Sequence, residues 1–271
     1  MTERKHIEIV ATTAKDPAEA AGLLIFTKAT RLAMDGASLD AIVQRCRDEP
    51  DWMMEELAYM AKTIRSSWEF LDVTFSIRNV SRACAQQITR TRYTPIDGDL
   101  FGSYAMQSQR VTDMSEATWH NPFDDDSFDD LLPPHEQECY IFDKFVERSM
   151  AGYKSMVASG VKMEDARGLL PVNLHCNLIA KYNLRILVDL IQARSSYRAQ
   201  GEFNTVAREM REALVEMWPW AELFLRPKDE LASEAYADVL AELSKLGVDS
   251  KAVHPLKIAL AKLNDILQGG K

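Results

Sequence analysis

The sequence predicts an α/β (α+β) fold, and three observations lead there. Residues 7–13 and 71–78 have strand character, long amphipathic segments with helix-capping residues lie between and after them, and 271 residues with 46% hydrophobic and 27% charged positions can bury a substantial core. With only 11 Gly and 10 Pro, the composition excludes disordered, collagen-like and low-complexity chains.

Taken in order, IEIVATT (7–13) reads as a β-strand, and Asp16-Pro17 follows as an N-cap with proline in the first helical position, opening an amphipathic run to about residue 34. Ser38 caps a second helix, and 53–65 forms a third. Leu71, Val73, Phe75 and Ile77 alternate with Asp72, Thr74, Ser76 and Arg78, the period of a half-buried strand. Ser81 then caps a helix through RACAQQITRTR, and Pro95, Asp97-Gly98 and Gly102 mark a turn or hairpin excursion. A loop over about 112–134 precedes a helix at 135–159 that Gly160 stops; further long helices are expected at about 173–197 and 200–217, ended by Pro219. Residues 226–271 read as two more helices broken near Gly247 and Pro255, a C-terminal extension to a main domain over 1–225.

Lys and Arg number 32 against 41 Asp and Glu, a net charge of −9. Nine of the acids fall in 111–138, so that the rest of the chain is balanced, and the acidic run reads as a solvated surface loop. Without a broad basic surface, duplex nucleic acid and anionic membrane are not expected partners, whereas a small anion needs only two or three arginines. No apolar run reaches the roughly 18 residues of a membrane span, and MTERKHIEIV lacks the hydrophobic stretch of a signal peptide, so a cytoplasmic protein is expected. Cys46, Cys84, Cys139 and Cys176 form no Cys-x-x-Cys pair and are expected as reduced, packed thiols. His135 and Cys139 are four apart but lack a third ligand, so no metal site is expected.

Gly-x-Gly-x-x-Gly, the P-loop pattern and Gly-x-Ser-x-Gly are all absent, which argues against a Rossmann cofactor site, a P-loop and a hydrolase nucleophile elbow. What stands out is arginine and amide density on helical segments: Gln86, Gln87, Arg90 and Arg92 after Ser81, then Asn183, Arg185, Arg194, Arg198 and Gln200. Two readings are open. They are either solvated helix surface paired with nearby acids, or the lining of a site where guanidinium groups fork onto phosphate and amides read a base or flavin edge.

The order RACAQQITRTRYT…SYAMQSQR, then ARGLLP, NLRILVDLIQAR and AQGEF resembles the flavin-dependent thymidylate synthases, the ThyX family, over roughly residues 5–221. The resemblance implies a central mixed or antiparallel sheet flanked by long helices, and a homotetramer whose active sites are shared between subunits. It implies FAD as cofactor, NADPH and methylenetetrahydrofolate as co-substrates, and methylation of C5 of dUMP to give dTMP. By position it places Ser66, Glu69, Arg90, Thr91, Arg92, Gln107, Asn183, Arg185 and Asp189 at the flavin, and Gln87, Ser108, Gln109, Arg110 and Arg167 at the nucleotide, with the arginines on its phosphate. Arg194 falls on the uracil ring as a catalytic candidate. Ser108 is a second such candidate, but with no histidine nearby in sequence to activate it, phosphate or substrate binding is its expected role.

The sequence departs from the family at Thr91, which replaces the histidine between two arginines, and in the interval from Arg92 to Ser108, which the PIDGDLFG excursion lengthens from seven residues to fifteen. Ile64 and Phe70 stand where histidines are common, Asp189 replaces an asparagine and Arg198 a histidine. These changes cluster at the flavin and one-carbon side and leave the phosphate side intact. A UMP C5-methylase or hydroxymethylase, and a catalytically silent flavin- or nucleotide-binding homologue, are the alternatives.

Overall fold

The computed structural model describes residues 6–28, 38–90, 102–123, 136–195 and 201–226. Strands β1 (Ile7–Thr12), β2 (Asp72–Ser81), β3 (Ser103–Met106) and β4 (His175–Asn183) form one sheet in the order β1-β2-β4-β3, with every pairing antiparallel. The expected α/β class holds, and the sheet is antiparallel, not mixed.

Several local signals act as anticipated. Asp16 caps α1 (Pro17–Thr27) by accepting from the Glu19 N–H at 2.9 Å, and Ser38 caps α2 (Leu39–Asp48) through the Ala41 N–H at 3.2 Å. The third helix, α3, runs Pro50–Thr63 and is followed by a 3₁₀ segment, Arg65–Phe70. The Ser81 hydroxyl accepts from the Cys84 N–H at 3.0 Å and starts α4 (Arg82–Arg90). The long α5 spans Glu136–Ala158, and Gly160 beyond it takes φ +85°, a left-handed stop that suits glycine.

The helix expected at 173–197 is corrected: its first part is β4, and only Leu184–Arg194 is helical (α7). Cys176, Leu178, Ala180 and Tyr182 point into the core while Asn177, Ile179 and Lys181 face out, and β4 is paired on both sides, with β2 and β3. Asn183 marks the change, its side chain accepting from the Ile186 N–H at 3.0 Å as the α7 N-cap. Between α5 and β4 lie the short α6 (Met163–Ala166) and a 3₁₀ turn, Arg167–Leu169; α8 (Gly201–Met217) and α9 (Glu222–Leu225) complete the described fold. The 91–101 excursion, most of the acidic run and the 227–271 extension lie outside the described residues.

The core sits on one face of the sheet, where Phe75, Ile77 and Leu178 pack with Leu24 of α1, Leu187 and Ile191 of α7, and Phe203 and Met210 of α8. Helices α1 and α2 approach closely at Gly22, where an added Cβ would lie 2.5 Å from Val43 Cγ2. The opposite face exposes Val10 and Ile179 and carries two ion pairs, Arg78–Glu8 at 2.8 Å and Lys181–Asp72 at 2.6 Å. Outside the main core, α5 packs through Val146, Met150 and Tyr153 on Met114, Leu174 and Ala166, leaving Tyr140, Ile141, Phe145 and Met156 exposed along the helix.

Candidate functional site

The structure gathers the anticipated residues into three groups. The first is a ridge between the 3₁₀ segment and α7. Pairing of Asp72 with Asn183 and the Leu184 N–H···O=C Leu71 bond (2.8 Å) bring the end of the 3₁₀ segment against the start of the helix. Arg185 there donates to Glu69 at 2.5 Å, and one turn on, Asp189 pairs with Arg65. Ser66, Glu69, Asn183, Arg185 and Asp189 thus share one ridge, and Arg185 Nε is buried without an acceptor among the described residues.

The second group lies at the other end of α7, about 13 Å along the helix axis from Arg185 at 1.5 Å per residue. The Arg194 guanidinium sits over the Phe203 ring, 4.9 Å from its centroid, and the Arg194 carbonyl accepts from the Asn204 side chain at 3.0 Å. Arg194 Nε is buried and also lacks an acceptor among the described residues. Helix α8, which packs on α7, also packs on α4, and its Glu202 accepts from the Ser81 N–H at the start of α4. Helix α4 carries the half-buried Gln87 and ends at the exposed Arg90. Thr91 and Arg92 lie outside the described residues.

The third group follows β3. Gln107 exchanges hydrogen bonds with Asn177 of β4: its N–H donates to the Asn177 carbonyl at 2.9 Å, and its side-chain oxygen accepts the Asn177 N–H at 3.1 Å. The chain then turns, the Ser108 hydroxyl accepting the Arg110 N–H at 3.2 Å. Arg110 Nε lies 3.2 Å from Glu164, whose carbonyl accepts from Arg167 Nε at 3.1 Å. Arg110 and Arg167 therefore meet at α6, beside Ser108 and the buried Gln109, whose Nε2 has no acceptor among the described residues. Among the described residues no histidine or carboxylate hydrogen-bonds to Ser108 Oγ, which accepts this backbone N–H.

Next to that group lies a cleft of about 280 Å³ whose walls include Asn79, Gln107, Glu116, Thr118, His175 and Asn177. Arg110, Arg167 and Arg194 do not line it. Asn79 takes φ +54°, a left-handed conformation in the β2 bulge, with its N–H held by Asn177 Oδ1 at 3.0 Å. His175 contacts Thr118 Oγ1 at 2.8 Å, and burial, ahead of the opposing pull of Glu202, lowers its pKa below the ordinary 6.5. The unfolded chain therefore takes up a proton first, and stability is expected to decline as pH falls through 6.5 toward the folded-state pKa. Urea titrations at pH 7.5 and 5.5 check this, since His175→Gln flattens the decline if His175 is the cause.

Among the described residues no group of three or more His, Cys, Asp or Glu could hold a metal, and no helix is long and apolar enough to cross a membrane. Cys46, Cys84 and Cys176 are packed thiols as expected; desolvation pushes Cys46 and Cys176 up to about 11 and Cys84 higher still.

All three groups fall inside residues 23–220, the region matched by the family model of the thymidylate synthase complementing proteins. The chain belongs to this family. Curated relatives of this family member include the flavin-dependent thymidylate synthases of Haloarcula marismortui, 26% identical over 170 residues (56% of this chain, 66% of the relative), and of Pyrococcus furiosus, 31% identical over 150 residues (54% and 55%). That of Geobacter sulfurreducens is 30% identical over 150 residues, 54% of this chain and 57% of the relative. The aligned chain spans about half to two-thirds of the length of these relatives.

Two residues in these groups escaped the sequence reading. Arg65 pairs with Asp189 across non-adjacent elements, a contact no local pattern reveals. Glu164 stands three residues before Arg167, a helical spacing that was available as a signal.

Proposed function

We propose that the chain is a flavin-dependent enzyme that methylates C5 of the uracil of dUMP to give dTMP, with methylenetetrahydrofolate as carbon donor and NADPH as reductant. One observation carries this reading. Arg185 contacts Glu69 and Arg194 lies over the Phe203 ring, yet each keeps a buried Nε–H with no acceptor among the described residues. An orphaned buried donor costs about 1–3 kcal/mol, so a ligand or a neighbouring protomer that supplies an acceptor is favoured at both ends of α7.

The donor set suits FAD. Ser66, Glu69, Asn183, Arg185 and Asp189 on the ridge, with Arg90, Thr91, Arg92 and Gln107, would hold it, and bound FAD supplies the redox and one-carbon chemistry that no side chain here provides. Gln87, Ser108, Gln109, Arg110 and Arg167 would hold the nucleotide, the two arginines on its phosphate. Arg194, stacked and planar, would favour negative charge developing on the pyrimidine oxygens. Three of the four thiols agree with a flavin route: attack on C6 requires a thiolate, and burial disfavours that form at Cys46, Cys84 and Cys176, whereas Cys139 is half-buried and accepts from the Asn121 side chain.

In this reading Arg110 with Arg167, and Arg194 beside α8, are two half-sites. The exposed apolar stripe of α5 and the open sheet face with Val10 and Ile179 offer surfaces for self-association. A homotetramer that brings the phosphate arginines of one protomer to Arg194 of another completes the site.

The test is to purify the chain, add FAD, and assay dUMP and UMP with labelled methylenetetrahydrofolate and NADPH. The expected result is yellow protein that labels dUMP. Labelling of UMP alone would establish the ribonucleotide methylase instead, and colourless protein that takes up no FAD would establish the silent homologue.

A further inference from the structure

Glu164 contacts both of the arginines that the nucleotide reading assigns to a phosphate, and its role rests on that reading of Arg110 and Arg167. Its carboxylate lies 3.2 Å from Arg110 Nε, and its carbonyl accepts Arg167 Nε at 3.1 Å. Both side chains of the ion pair are about half-exposed, 59% for Arg110 and 52% for Glu164, so the pair can open without unpacking the core. The backbone of α6 is fixed by bonds from the Asp165 and Ala166 N–H groups to the Lys162 carbonyl, both 2.9 Å. The Glu164 side chain can therefore swing away while its carbonyl keeps hold of Arg167.

We infer that Glu164 is an internal competitor for the nucleotide phosphate: it holds Arg110 in the free protein, yields it to an arriving phosphate monoester and retakes it as product leaves. A carboxylate offers one negative charge and two oxygens. A phosphate monoester offers about 1.5–2 charges and three oxygens, and so displaces it. Because the pair opens whichever phosphate ligand arrives, it weakens all of them by one common factor and leaves a ligand without phosphate unaffected.

Calorimetric titration of the FAD-loaded full chain with dUMP, dTMP, inorganic phosphate and deoxyuridine tests this in the wild type and in Glu164→Gln, which keeps the side-chain length and removes the charge. The dissociation constants of the three phosphate ligands are expected to fall together, by about two- to fivefold, the range of an exposed ion pair, while that of deoxyuridine stays put. Equal constants in the two proteins, weaker binding to the variant, or a shift that deoxyuridine shares would each overturn the inference. Arg110→Gln separates this from the underlying reading. If that variant binds dUMP as tightly as the wild type, the phosphate role of Arg110 itself falls; if it loses dUMP while Glu164→Gln changes nothing, only the role of Glu164 falls.

Discussion

Replacing Arg194 by alanine is expected to lower turnover of dUMP by about two to three orders of magnitude, the range for loss of one charge-stabilising donor. Arg194 closes α7 with its guanidinium 4.9 Å from the centre of the Phe203 ring, and its Nε is buried without an acceptor among the described residues. A preorganised donor of this kind acts most strongly where charge develops, on the pyrimidine oxygens as C5 becomes nucleophilic. Its loss should appear in kcat more than in KM. Flavin absorbance should persist, because Arg194 is not among the residues proposed to hold FAD, and the ridge of Glu69, Arg185 and Asp189 proposed to hold it lies at the opposite end of the helix. Arg194→Lys should recover only part of the rate, since an ammonium keeps the charge but neither stacks as a plane nor forks. Steady-state kinetics beside an absorbance spectrum decide it, and wild-type turnover in the alanine variant would remove Arg194 from the pyrimidine.

The second large effect is on stability. Glu202, in the first turn of α8, is buried, and its carboxylate accepts from both the backbone N–H and the hydroxyl of Ser81. The same hydroxyl caps α4, so one carboxylate on α8 secures the junction of β2 with the helix that carries Gln87 and Arg90. Glu202→Ala strands two buried donors and leaves a void. We expect a loss of about 3 kcal/mol, a large share of the 5–15 kcal/mol typical of a domain. Glu202→Gln keeps the volume and an acceptor for the Ser81 N–H and can donate to the hydroxyl, so its cost should be about 1 kcal/mol. Urea midpoints at unchanged slope measure both values; an alanine variant within about 0.5 kcal/mol of wild type would show that the junction does not depend on this carboxylate.

Much of the fold was legible because its signals are local. Asp16, Ser38, Ser81 and Gly160 mark helix ends through bonds to residues a few positions away, and β2 announces itself by alternation. Strand β4 was hidden for a definite reason. Leu174, Leu178 and Tyr182, all buried, recur every four residues, a spacing that lies on one face of a strand and on one side of a helix alike. Only the smaller Cys176 and Ala180 between them carry the period of two, and helix-forming NLRILVDLIQ follows directly. Pairing with β2 and β3 settled the matter, as tertiary contacts override propensity.

The sequence by itself determined the helix caps, the first two strands and the positions of the arginines, along with a motif order that the family match bears out. Tertiary structure alone decided that Arg110 meets Arg167 at Glu164, that Arg185 and Arg194 occupy opposite ends of one helix, and that Arg65 stands against Asp189. The physical reason is range. A cap or an alternating strand is set by neighbours within one turn or one pleat, whereas a binding group forms where sheet register and helix packing bring together side chains far apart in sequence.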